Sequence, residues 1–190
     1  DDFRFSTLSE TRPPPRTDMD DQENRSAETV LKTARRIHAM RTQEVAPYAQ
    51  LYPLLLAEVP EIMAEWDRST QELPWSALEE AERQNNLASV ITRVIDCAMS
   101  DATRELRVDA MIAAACSHGA SRRSQGMEVA SLFREYDLLR AATWGLLSRM
   151  VSSPTSFSAI FIIDGLLSVA TRATVLGYHS LEMKSNGLWA

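Results

Sequence analysis

Four side chains between residues 118 and 140 have the chemistry that acid–base catalysis and anion binding use: His118, Arg122, Glu135 and Arg140. The segment reads HGASRRSQGMEVASLFREYDLLR, in which a histidine and two arginines precede a glycine, and a helical pattern follows. Three interpretations arise from these residue types. They could form a catalytic set, a ligand pocket, or a polar contact between two packed helices.

The helical spacing of the second half of this segment favours the third interpretation. Tyr136 and Arg140 are one turn apart, so Tyr136 lies on the apolar side with Arg140 beside it. Glu135 lies at the margin, where it can meet Arg122 or Arg123 of the preceding helix. A partly buried pair of this kind fixes helix register more than it adds stability, because desolvation offsets much of the attraction. The sequence therefore predicts a structural or signalling clasp of Arg122, Glu135, Tyr136 and Arg140.

No other pattern in the chain provides a catalytic or metal site. HxxxH, HExxH and ExxH are absent, and Cys97 and Cys116 lie in apolar helical sequence without CxxC spacing. The glycines do not assemble into GxxxxGK or GxGxxG. We therefore expect no catalytic residue, no metal and no cofactor, and the chain is not predicted to be an enzyme. If haem were bound, His118 would be the candidate axial ligand.

Charge and hydropathy limit the partners of the chain. The formal charge of the 190 residues is -6, which argues against nucleic acid and anionic membranes, since both attract cationic surfaces. The first ten residues, DDFRFSTLSE, lack the features of a signal peptide. The longest apolar stretch, SAIFIIDGLLSVA, is interrupted by Asp164 and is shorter than the roughly 20 residues that span a bilayer. We expect no membrane span and a cytoplasmic protein.

Helical periodicity dominates the chain, and no segment alternates apolar and polar residues for long enough to form a strand. The sequence predicts an all-α bundle of about six helices with long C-terminal helices. The helices are expected at about 27–45, 60–73, 76–100, 102–119, 127–151 and 154–184.

The clearest pattern lies in residues 127–151, where apolar positions step by three and four and predict lengthwise packing on another helix. The pattern consists of Val129, Leu132, Tyr136, Leu139, Thr143, Leu146 and Met150. In helix 102–119, the predicted inward residues are Leu106, Ala110, Ile112, Ala113 and Cys116. In the last helix, Phe161 and Leu166 are expected to widen the buried stripe. Asn85 and Asn86 mark a potential break within 76–100.

These patterns predict one domain. Residues 1–25 contain TRPPPR and DMDDQENR, which have too few apolar residues to form a core, so a flexible N-terminal tail is expected. Residues 26–185 are predicted to form a single helical domain. Residues 186–190 are expected to begin a linker or tail.

The order of the polar residues resembles a known bacterial family. A histidine, then Arg122, Gly126, a short gap and LFREYDLLR is similar to the N-terminal input domain of RsbRD-type proteins, the RsbT co-antagonists of bacterial stress signalling. That input domain is also found ahead of histidine kinases. The similarity extends more loosely through PLLLAEVPEIMAEWDRSTQE to ATVLGYHS, which is about residues 45–180.

The resemblance implies an all-helical sensing or interaction module without chemistry of its own, followed by a STAS or kinase output domain. Related input domains have a globin-like arrangement that holds no haem. We therefore expect a non-catalytic regulatory input domain of bacterial signal transduction, which forms a homodimer and acts through helix packing on an output domain or partner protein. The chain reaches SNGLWA without a kinase box or STAS domain, so it is either an excised fragment or a domain that stands alone.

Two other functions stay open at this point. The first is a globin-like sensor that binds haem or a small ligand, with His118 as the candidate haem ligand. The second is a stand-alone scaffold or adaptor whose acidic N-terminal tail recruits a partner. A Soret band after haem titration would identify the first, and a pull-down that depends on residues 1–25 would identify the second.

Overall fold

The computed structural model describes residues 25, 28–33, 35–36, 51–71, 73, 75, 78–84, 86–99, 104–150 and 157–185. Seven helices of five residues or more lie in the part from residue 51 onward: α1 Leu51–Ala57, α2 Val59–Thr70, α3 Glu80–Gln84, α4 Leu87–Met99, α5 Arg104–Ser124, α6 Val129–Met150 and α7 Phe157–Ser185. The described residues contain no strand, which confirms the all-α prediction.

The N-terminal and C-terminal predictions lie largely outside the described residues. Of the predicted helix 27–45, the structure describes 28–33 and 35–36, and these residues are helical. The predicted tail, apart from Arg25, and the predicted linker 186–190 fall in undescribed parts of the chain.

Local sequence explains where several helices begin and end. Pro60 lies in the first turn of α2, where its missing amide hydrogen leaves no helical bond unmade. Helix α3 ends at Gln84 and α4 begins at Leu87, in agreement with the break expected within 76–100. The turn between α5 and α6 contains Gly126 at φ 74°, a left-handed conformation that glycine adopts without the steric cost of a Cβ atom.

The hydrophobic core is built around α7, which contacts α4, α5 and α6, while α2 packs on α6 and α1 on α4. The predicted stripe of α6 is confirmed: its five central residues are buried, and Val129 and Met150 at its ends are half-buried. Burying side chains of this size contributes about 1.5–3 kcal/mol each. The largest fully buried apolar side chains include Trp66, Ile62, Ile91, Ile95, Met111 and Leu132.

The predicted inward face of α5 was only partly correct. Ile112 and Cys116 are half-buried and pack against the core, but Ala113 is exposed and Leu106 is 73% exposed. The fully buried positions of α5 are Val108, Met111 and Ala115 among its apolar residues. The helix also continues five residues past Gly119, the residue at which the prediction ended it. Because this helix has alanines on several of its faces, apolar spacing alone does not identify the face that is buried.

Gly119 lies inside α5 because α7 passes against it. A Cβ atom built on Gly119 would lie less than 3.0 Å from backbone atoms of Thr174 and Tyr178. On the facing helix, a Cβ atom on Gly177 would lie equally close to the backbone of Cys116. The two glycines therefore allow the backbones of α5 and α7 to touch, and neither position can accept a side chain without moving a helix.

Helix α7 is the one helix in the described part of the chain that is long and apolar enough to cross a membrane, by length and composition. The window Ala159–Ser180 contains 22 residues and has a mean hydropathy of 1.7. It is longer than the apolar stretch SAIFIIDGLLSVA that the sequence analysis identified. In the fold, 56% of this window is buried. Ile160, Ile163 and Leu167 belong to the core cluster, whereas Phe161 is 68% exposed and does not widen the buried stripe as predicted.

Candidate functional site

The turn at residues 125–128 brings the polar residues of α5 and α6 together. The amide of Gly126 donates to Arg123 O and that of Met127 to Arg122 O, so the last carbonyls of α5 are satisfied within the turn. The chain then reverses and places α6 beside the end of α5. His118 and Arg122 lie one helical turn apart and thus present their side chains on the same face of α5.

Glu135 of α6 meets both of these side chains. His118 Nε2 donates to Glu135 Oε2 at 3.0 Å. Arg122 donates to Glu135 Oε1 from Nε at 3.0 Å and from Nη2 at 2.5 Å. All three side chains have 0% exposure, so the cluster is a completely buried ionic group. We refer to His118, Arg122 and Glu135 below as the ionic cluster.

The remaining donors of Arg122 bind the end of α3. Nη1 donates to Glu82 O at 2.9 Å and to the Gln125 side-chain oxygen at 2.8 Å, and Nη2 donates to Arg83 O. Carbonyls in the last turn of a helix have no partner inside the helix. Arg122 therefore caps α3 while it neutralises Glu135, and each of its three nitrogen atoms has a partner.

Helix α2 joins the ionic cluster through Trp66. The indole Nε1 of this fully buried residue donates to the backbone oxygen of Glu135 at 3.1 Å. The cluster thus connects α2, α3, α5 and α6. A change in the position of any one of these helices would break a buried hydrogen bond, which costs about 1–3 kcal/mol.

The charge of Glu135 depends on its two partners. Burial by itself raises the pKa of this carboxyl, but the charges and hydrogen bonds of His118 and Arg122 together outweigh burial and hold the pKa below its usual value. Glu135 is therefore a carboxylate near neutral pH. A carboxylate that is bound by a guanidinium in this way has no proton to donate and cannot act as a general acid. Its contacts with α5 instead hold α5 and α6 together.

Tyr136 forms a separate buried contact beside the ionic cluster. The Thr174 hydroxyl donates to Ala115 O at 3.1 Å, so the Tyr136 hydroxyl donates to Thr174 Oγ1 at 2.6 Å. The rings of Tyr136 and His118 meet edge to face at 6.3 Å. Burial, above all, raises the pKa of Tyr136, so its phenol stays neutral. This contact links α5, α6 and α7.

Arg140, the fourth predicted clasp residue, lies elsewhere. Its Nε donates to Asp164 Oδ1 of α7 at 2.6 Å, and Nη2 donates to Ser168 Oγ at 3.2 Å. Asp137, one turn earlier on α6, accepts from Nη1 at 3.3 Å. Arg140 and Asp164 are about one-third exposed, at 29% and 32% of their side-chain surface. The structure thus brings together Arg122, Glu135 and Tyr136 and places Arg140 in a second, outer cluster.

The ionic cluster has no open face that a ligand could reach, because all three of its side chains are fully buried. His118 Nε2, the atom through which a histidine often binds haem iron, is taken by Glu135, and Nδ1 is buried without a partner among the described residues. The geometry at His118 does not fit an axial haem ligand.

Other reactive groups in the described residues are also held in unreactive states. Burial raises the pKa of the Cys97 thiol to about 12, and burial likewise raises that of Cys116, so neither forms the thiolate that acts as a nucleophile. Cys116 instead donates its thiol hydrogen to Ala173 O at 3.2 Å. The described residues contain no group of three or more His, Cys, Asp or Glu placed to hold a metal ion.

Sequence reasoning missed one partner in each of the two clusters and the partner of Tyr136. The hydrogen bond of Trp66 to the Glu135 backbone spans 69 positions and leaves no local signal in the sequence. Asp164 was noted only as an interruption of an apolar run, although a single acid in such a run indicates a buried or half-buried partner. Thr174 lies in an apolar part of α7, where its hydroxyl could have indicated a polar contact.

Comparison of the chain with models of protein families, with curated proteins and with solved structures finds no match.

Proposed function

We propose that this chain is a non-catalytic regulatory input domain of bacterial signal transduction, which dimerises and passes a change in helix packing to an output domain or partner protein of the kinase or STAS type. The cytoplasm is the compartment in which such a domain would act. The resemblance of the segment from His118 through LFREYDLLR to RsbRD-type input domains is the origin of this proposal.

The observation that supports the proposal is that the ionic cluster holds four helices in position through buried hydrogen bonds. Arg122 and Glu135, two residues of the segment that carries the resemblance, have no exposed surface, and Arg122 binds Glu135 and the backbone of α3. Buried ionic groups add little net stability compared with apolar residues, but they specify one arrangement of helices. A domain that works by changing helix packing needs such specification, because its states must be discrete.

The outer surface of α6 and α7 supports dimerisation as part of the proposal. Phe161 of α7 is 68% exposed and Trp144 of α6 is 38% exposed. Both lie near Asp164, since the Trp144 indole donates to Asp164 Oδ1 at 3.3 Å and Phe161 is one turn earlier on α7. Exposed aromatic residues on adjacent helices are typical of protein interfaces.

Light scattering coupled to size-exclusion chromatography tests dimerisation. The wild-type chain is expected to have the mass of a dimer at concentrations of tens of micromolar, and Phe161→Glu is expected to convert it to a monomer, because a carboxylate cannot be buried unpaired in an apolar interface. Leu106→Glu is the matched control, since Leu106 is an equally exposed apolar residue on α5. A wild-type chain that stays monomeric at every concentration would contradict the proposal.

A further inference from the structure

Arg25 and residues 28–33 lie over α6 and α7, and together they border an open cavity of about 680 Å³. Its apolar wall consists of Val30, Phe133, Val175 and Leu176, and Arg25 and Arg172 lie at its border. Cavities of 300–1,000 Å³ with mostly apolar walls and a few polar groups are typical of small-molecule sites.

The exposure of the wall residues shows how much apolar surface the cavity offers. Val30 is buried, at 5% exposure, so the N-terminal segment is seated on the bundle at this point. Phe133 nevertheless keeps 52% of its surface exposed at the same cavity. A large aromatic ring that stays half exposed beside a seated segment marks apolar surface that a hydrocarbon chain can cover.

The polar border of the cavity is cationic, in a chain whose formal charge is -6. Arg172 is exposed and has no ion-pair or hydrogen-bond partner among the described residues. Arg25 is the second guanidinium at the same cavity. Guanidinium groups bind carboxylates with two parallel hydrogen bonds, which a neutral head group cannot form with the same strength.

A neighbouring cavity has the opposite charge. It measures about 580 Å³, shares Val30 and Leu176 with the first, and is bordered by Glu28 and Asp109. An anionic head group is repelled there and attracted at Arg172. The charge difference therefore selects one of two apolar cavities for an anionic ligand and fixes which end of that ligand lies at the arginines.

We propose that the cavity between residues 28–33, α6 and α7 binds a free single-chain carboxylate, with its hydrocarbon chain on Val30, Phe133, Val175 and Leu176 and its carboxylate at Arg172, beside Arg25. Bound in this way, the ligand joins the N-terminal segment to the last helix. As a signal, it rests on the proposed regulatory function, but its binding can be measured separately.

Calorimetric titration with decanoate, at concentrations where the acid is monomeric, tests the site. One decanoate is expected to bind per chain, and affinity should rise by up to about fourfold for each methylene from hexanoate to decanoate. Decanol, which lacks the charge, is expected to bind about tenfold more weakly.

Three variants separate the parts of the site. Arg172→Gln is expected to weaken decanoate binding about tenfold, while Arg149→Gln, which alters an exposed arginine of α6 that does not line this cavity, should leave it unchanged. Val175→Trp should weaken binding, because the larger ring occupies part of the space beside the apolar wall. Because Arg172 is exposed and unpaired, its variant tests the site even if the tryptophan variant does not fold.

The proposal is overturned by any of three results. These are the absence of saturable decanoate binding, equal binding by Arg172→Gln and Arg149→Gln, and association with phosphatidylglycerol vesicles in place of free decanoate. Light scattering with and without decanoate measures the association state, and so tests the regulatory role separately from binding. Binding that leaves the association state unchanged supports the site and contradicts its role as the signal, whereas dimerisation without decanoate binding overturns the site alone.

Discussion

Helix α6 carries two arginine–carboxylate clusters that differ chiefly in burial. In the inner one, Glu135 meets Arg122 and both side chains have 0% exposure. In the outer one, Arg140 meets Asp164 and both are about one-third exposed. The distances are similar, at 2.5 Å and 2.6 Å for the shortest contacts, so geometry does not distinguish the clusters.

Burial gives the two clusters different physical roles. Water screens the outer pair and can solvate either partner alone, so that pair is worth at most about 1 kcal/mol. Neither partner of the inner pair can be solvated alone, so removing one leaves a charge stranded inside the protein. We therefore expect the inner cluster to determine which helix arrangement forms and the outer cluster to make a small adjustment to it.

The largest effect is expected from Glu135→Gln. This change keeps the shape of the side chain but leaves the Arg122 charge buried without a counter-charge, and it should lower the free energy of unfolding by about 3–5 kcal/mol. Urea denaturation followed by circular dichroism measures the loss. Glu128→Gln, at an exposed position just before α6, is the control and should change stability by less than about 0.5 kcal/mol. Equal losses of unfolding free energy in Glu135→Gln and Glu128→Gln would contradict the claim that burial makes the inner cluster more important for stability.

Acid should erase most of the difference between wild type and Glu135→Gln. The pKa of Glu135 in the folded protein lies below the ordinary value of 4.5, so the carboxylate contributes stability that is complete above that value and is lost as pH falls through the folded pKa. Urea denaturation at a series of pH values measures the difference in unfolding free energy between the two proteins. This difference should be constant from about pH 7 to 5 and become smaller in stronger acid. A difference in unfolding free energy that increases as the pH falls would contradict a lowered pKa of Glu135.

Gly119→Ala is expected to have the next largest effect, because its methyl group would meet the backbone of Thr174 on α7. Overpacking of this kind costs about 1–3 kcal/mol. Gly145→Ala is the matched control, since Gly145 lies within α6 with no atom within 4 Å of the added methyl group, and there alanine should stabilise the helix by about 0.5–1 kcal/mol. Thermal unfolding of both variants shows whether the signs differ. A stabilised Gly119→Ala would mean that α5 and α7 are farther apart.

The smallest effect is expected at the outer cluster. Arg140→Ala should lower stability by about 0.2–1 kcal/mol, and the loss should shrink in high salt because both partners contact water. The same denaturation series with and without 1 M salt measures it. A salt-independent loss as large as that of Glu135→Gln would show that Asp164 is buried more deeply than its 32% exposure indicates.

Most of the helices could be predicted from sequence because their determinants are local. The steps of three and four in α6, the proline at the start of α2 and the two asparagines before α4 act on neighbouring residues. The predicted pairing of Glu135 with Arg122 or Arg123 also follows from the short turn between α5 and α6. The structure selects Arg122, while Arg123 Nη1 donates to the Tyr178 hydroxyl at 3.0 Å.

The buried face of α5 and the position of Arg140 could not be predicted in this way. Alanine tolerates either a buried or an exposed position, so the alanines of α5 leave its orientation undetermined. Arg140 is one turn from Tyr136 in sequence, but Asp164 on α7 draws it to the outside of the bundle. In both cases the deciding partner is another helix.

By itself, the sequence determined that this protein is helical, where most of its helices lie, and that a histidine, arginines and a glutamate flank one turn. Helical periodicity, capping and turn formation act between residues a few positions apart, which makes them readable along the chain. Only the tertiary structure decided which arginine is buried, that glycines let α5 touch α7, and that a cavity lies beside residues 28–33. Those features depend on which helices meet, and burial is a property of the whole assembly of helices.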